Sequence, residues 1–171
     1  MSSLVHIANP THQSFARGAI RFDLDEILAS IRQWSETLTW GIYEMWALSG
    51  NGQVMLGSAR VVELDGMTLD PRCGDIAGPV PFAALETFAL CTHQVIDGVF
   101  VGASPSQDLP STIPMPREEG YLCLEEPWFL AYPLVIHARD SSFWRVFAEN
   151  DAAAVALMKR FPLQAHVLAH W

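Results

Sequence analysis

The chain has 171 residues, half of them apolar and 11% aromatic, which is enough to bury one hydrophobic core and excludes a disordered or fibrous chain. Its formal charge of −9 sits in residues 61–138, where eleven acids face only Arg72 and Arg117, a field that excludes direct nucleic-acid binding. Apolar runs such as residues 129–136 fall far short of the ~20 residues of a membrane helix, and Met1-Ser2-Ser3-Leu4-Val5-His6 lacks the layout of a secretion signal, so a cytoplasmic protein without membrane contact is expected.

Residues 4–8 are compatible with a short strand ahead of Asn9-Pro10. Leu24, Ile27, Leu28, Ile31 and Trp34 then form one apolar stripe at helical period and predict a helix over 24–35. Asp23 with Glu26 three residues on has the pattern of a capping box. Residues 37–48, rich in aromatic and β-branched side chains, read as a strand apolar on both faces except at Glu44. Ser49-Gly50-Asn51-Gly52 is a turn signal, and 53–64 reads as the returning strand of a hairpin. Glycines and prolines make 65–81 a loop, after which Phe82, Leu85, Ala89 and Thr92 mark a helix over about 82–93. Residues 95–101 are either a tight hairpin at Asp97-Gly98 or a single strand after a helix stop.

A second long loop covers 102–120, with four prolines, and loops of that length in a compact domain usually carry function. It divides no domains, because the remainder is too short to fold well alone. Residues 134–139 and 143–148 read as strands joined by a turn at Asp140-Ser141-Ser142. Asn150 or Asp151 caps a last helix over 152–160, which ends at Phe161-Pro162 with Lys159 and Arg160 near its negative pole. The expected fold is a single α+β domain over 1–171, mainly an antiparallel sheet with about three helices packed on it.

Chemical motifs are sparse. Cys73, Cys91 and Cys123 are odd in number and far apart, which argues for buried apolar thiols over disulfides or zinc. In Cys91-Thr92-His93, a helix would aim thiol and imidazole in different directions. His166 and His170 would share a face if 163–171 were helical, with His6 or His12 as a third ligand, yet nothing selects one, so no metal is expected. Residues 137–142 hold the letters of a hydrolytic triad, but triads are assembled from separated segments, and turn chemistry is the commoner reason for Asp-Ser-Ser. No phosphate-binding or dinucleotide fingerprint occurs, so no cofactor is expected.

Two groups of residues remain as candidates. Glu44, a lone acid on an apolar strand, could join His137 and Asp140 in the cleft of a small hydrolase, although pairing with Arg60 is the commoner fate of such an acid. The other group is Asp70 and Asp75 of the first long loop, Glu118 and Glu119 of the second, and Glu125 and Glu126, which border the aromatic pair Trp128-Phe129 with Trp128 as anchor. This second set predicts a non-enzymatic protein-binding module, of inhibitor or immunity type, that presents an acidic face to a basic partner protein. The hydrolase and an acidic nucleic-acid mimic are the alternatives, and homo-oligomerisation stays open.

Overall fold

The computed structural model describes residues 1–8, 23–49, 63–64, 67–68, 77–111, 113, 128–139 and 143–170. Within them lie β1 (Ser3–Ala8), α1 (Leu24–Ser35), β2 (Thr39–Ser49), β3 (Glu63–Leu64), β4 (Met67–Thr68), β5 (Ala77–Pro81), α2 (Phe82–Cys91), β6 (Thr92–Ala103), β7 (Leu134–Arg139), β8 (Phe143–Ala148), α3 (Asp151–Arg160) and β9 (Ala165–His170). Seven strands make one sheet in the order β5-β2-β6-β7-β8-β1-β9, and every pairing in it is antiparallel. β3 and β4 form a separate two-stranded ribbon. With three helices among the described residues, this is a single α+β domain.

Strand alternation sends one set of side chains to each face of the sheet. All three helices lie on the face that receives Trp40, Ile42, Phe100, Ile136, Trp144, Val146, Val5 and Ile7. There α1 buries Leu24, Ile27, Leu28 and Ile31, four of the five residues of its predicted stripe, and stands between α2 and α3 in contact with both. α3 adds Ala153, Ala154, Leu157 and Phe161 and is the outermost helix at the β9 side, touching β8, β1 and β9. Close packing governs the backbone as well. A Cβ at Gly102, which pairs with Trp40, would come within 2.9 Å of Leu38 and 3.1 Å of Trp40.

The opposite face is covered differently. Leu4, Tyr43, Val99, Val101, Val135 and Phe147 form a second core, roofed by Ile113 and Phe129. Phe129 belongs to a 3₁₀ turn, Trp128–Ala131, just ahead of β7. The stretch after β6 is thus packed where it is described: the Tyr43 hydroxyl donates to the Pro110 carbonyl at 2.7 Å, and Gln107 Nε2 donates to the Ala131 carbonyl.

Several local expectations change in the structure. Residues 77–81 are not loop but edge strand β5, where Pro79 and Pro81 are tolerated because an edge strand has a neighbour on one side only. Residues 92–103 are one continuous strand, so Asp97-Gly98 makes no hairpin; β6 pairs with β2 on one side and β7 on the other. Residues 165–170 are strand β9, so the condition on which His166 and His170 would have shared a helix face is not met, and hydrogen bonding to β1 decides it. Most of the expected return strand 53–64 lies outside the described residues; its final pair, Glu63–Leu64, pairs with Met67–Thr68. Asp23 stands at the N-cap of α1 without a side-chain capping bond, and Glu26 instead pairs with Arg160 of α3 at 2.7 Å.

Candidate functional site

Antiparallel register lines up one transverse row on the face away from the helices. Tyr43 pairs with Val99, Val99 with His137, His137 with Arg145, Arg145 with His6, and His6 with His166. Six strands each contribute one residue, and the row runs from the roofed second core to the exposed His166. Phe143 lies amid its polar part, with the His6 ring 4.9 Å away, the Arg145 guanidinium 5.1 Å over its face and His137 edge-on at 6.4 Å.

Burial sets the chemistry of this row. The His137 side chain is fully enclosed, and that burial, with Arg145 and Arg139 adding positive charge nearby, lowers its pKa to about 3. It is therefore neutral across the physiological range and not presented to a solute. His6 is also held below the ordinary histidine value, first by burial, then by His166 at 5.0 Å between ring centroids and by Arg145. Burial pushes the Tyr43 hydroxyl far up, with Tyr132 adding to the effect, so it keeps the proton that it donates to the Pro110 carbonyl.

A second cluster gathers where the two ends of the described chain meet. Ser3 Oγ donates to Asp151 and lies 2.8 Å from His170 Nδ1. Because the single hydroxyl proton is given to the carboxylate, His170 must be the donor to Ser3. Here the serine stands between acid and imidazole, whereas nucleophilic activation needs the imidazole in the middle. With Ser3 buried as well, the cluster is a tie between β1, α3 and β9.

The residues singled out from sequence fare unevenly. His137 is placed on β7 in the row. Glu44 lies on β2 where the register with β6 shifts just after Tyr43, and β6 stands between β2 and β7. Asp140, Asp70, Asp75, Glu118, Glu119, Glu125 and Glu126 lie outside the described residues. Trp128 is half-buried, edge-on to both Phe129 at 6.3 Å and Tyr132 at 6.2 Å. Together with Leu109, Leu130 and Tyr132 it forms a partly exposed rim on the roof of the second core. Cys91 ends α2 and Thr92 opens β6, so Cys91 and His93 share no helix. His166 and His170 have different partners, His6 and Ser3. No group of three or more metal-ligating side chains occurs among the described residues.

Sequence reasoning missed the alignment of His6, Arg145 and His137. Their alternation along each strand is visible, but the register that makes them neighbours is not. The Ser3–Asp151–His170 tie spans 148 and 167 residues and leaves no local signal.

Fold and site together define an α+β domain with a helix layer on one side of its sheet and, on the other, a roof bearing partly buried aromatics. No helix among the described residues is long and apolar enough to cross a membrane. Neither the protein-family models, nor the curated proteins, nor the solved structures with which the chain was compared give a match.

Proposed function

We propose that the protein is a non-enzymatic binding module that receives a basic partner protein on the roof of its second core. The observation that carries this is the rim of Trp128, Tyr132, Leu109 and Leu130, partly exposed yet fixed from below. Phe129 locks the turn into the core against Phe147 at 5.1 Å, and Gln107 and Tyr43 hold the facing loop. Aromatic side chains held rigid lose little entropy on binding and supply most of the energy at interfaces. Glu125-Glu126-Pro127 precede Trp128 in the chain, and the acids of 61–138 supply the field that would draw in a basic surface.

Replacement of an anchor tests the proposal. Trp128→Ala should leave the circular dichroism spectrum and cooperative melting in place. It should weaken capture of the partner, isolated from native lysate with the wild-type chain as bait, by a factor of ten or more, or at least about 1.4 kcal/mol. An unchanged affinity would contradict the assignment of this surface.

A further inference from the structure

The two edges of the main sheet are built differently. At one end, β5 carries Pro79 and Pro81, which remove backbone donors from that edge. At the other, β9 has the sequence Ala-His-Val-Leu-Ala-His, without proline, lysine or acid, and no described strand pairs with its outer side. Natural edges are normally blunted by such residues, and a plain edge of six residues offers a row of backbone groups to another strand. Its one irregularity is a bulge beside β1, which leaves Leu168 as the extra residue.

Apolar surface lies next to this edge. Leu163, before β9, is 91% exposed, Val155 and Met158 on α3 are 63% and 38% exposed, and Leu168 is 39% exposed. Val155 and Met158 are one helical turn apart, on the helix that lies outermost over β9. The ends of α3 differ in sign: Glu149 and Asp151 stand at its start, Lys159 and Arg160 in its last turn. Val155 falls midway between them.

We infer that β9 and α3 form a self-complementary surface whose occupant is a second copy of this chain. A two-fold axis normal to the sheet would set β9 antiparallel to β9 of the other copy and keep both helix layers on the same side. The same axis would run α3 antiparallel to its counterpart, bringing the acidic start of each helix against the basic end of the other. One axis serves both contacts, because helix and strand are tied at each end. Ala165 N donates to the Phe161 carbonyl at 2.9 Å, and Ser3 joins Asp151 to His170. Ten helical residues rise about 15 Å, and five strand steps cover about 16 Å, so Val155 lies level with Val167 and Leu168. The assembly is isologous and closed, a fourteen-stranded sheet (twice the seven strands of one copy) with the β5 edges outermost.

Sedimentation velocity of the full chain, from sub-micromolar to hundreds of micromolar, reads the result directly. A concentration-dependent dimer is expected, with hydrogen exchange slowing at the β9 amides as dimer accumulates. Val155→Glu with Met158→Glu, both at exposed positions, should shift the chain to monomer without loss of cooperative melting. Glu149→Lys or Lys159→Glu alone should weaken the dimer by roughly tenfold through like charges brought together, and the two combined should restore it. A wild-type monomer throughout the range would overturn the inference. So would a dimer indifferent to the Val155 and Met158 changes, or a charge swap that fails to rescue.

Discussion

At His137 the cost of burying an imidazole becomes a pH dependence that can be measured. Its pKa is about 3 in the folded chain and near 6.5 when unfolded, so between these values the unfolded state binds more protons. Stability therefore rises with pH through this window and is lost as pH falls from about 6.5 toward 3, at up to about 1.4 kcal/mol per pH unit from this group. His137→Gln, which cannot take up that proton, should flatten the acid limb of urea midpoints recorded between about pH 4 and 7. An unaltered slope would mean that other groups carry the acid sensitivity. Tyr43 makes a simpler test. Tyr43→Phe deletes the donor to the Pro110 carbonyl and leaves the ring in place, so it should cost about 1 kcal/mol in chemical denaturation and speed exchange at amides around residue 110. No change in either would contradict the anchoring of the roof. Neither role is visible from sequence. His137 reads as one polar residue on an apolar strand, and only the register with Arg145 and the packing of Phe143 turn it into a buried neutral group.

Elements were more legible than side chains where one force acted locally. The stripe from Leu24 to Ile31 and the apolar strands at 134–139 and 143–148 specify their own period, and the structure keeps them. α3 begins as expected: the Asn150 side chain accepts from Ala152 N at 2.9 Å, while Asp151 is drawn away to Ser3. Asn150→Ala should then lower stability by about 1 kcal/mol, whereas Asp151→Asn should leave the cap intact; equal stability of Asn150→Ala and wild type in thermal melts would rule the cap out. Legibility ended where pairing decides. Residues 77–81 and 165–170 have weak intrinsic preferences, prolines in one and alternating small residues and histidines in the other. They become strands because β2 and β1 offer them backbone partners. Asp97-Gly98 carries a hairpin signal, but neighbours on both sides hold β6 extended through it. The Arg160–Glu26 ion pair also links elements, yet the arginine is more than half exposed, so docking of α3 rests mainly on buried Leu157 and Phe161.

For the whole molecule, the charge map and the architecture give complementary views. Arg139, Arg145, His6 and His137 lie on β7, β8 and β1 on the face away from the helices, Arg32, Lys159 and Arg160 lie on the helices themselves, and the excess of acid belongs to 61–138. The fold class followed from alternating local patterns, and Trp128 stood out in the sequence as a candidate, but its placement on the roof beside Phe129 and Tyr132 did not. The central proposal is that the acids preceding Trp128 in the chain draw in a basic partner. The most direct measurement is the affinity of the captured partner for a chain with Glu118, Glu119, Glu125 and Glu126 all changed to Lys, taken across ionic strengths. With the fold intact by circular dichroism, binding should be lost at moderate salt, and the wild-type association rate should fall steeply as salt is raised. Unchanged affinity in the reversed chain, or a wild-type rate indifferent to salt, would contradict it.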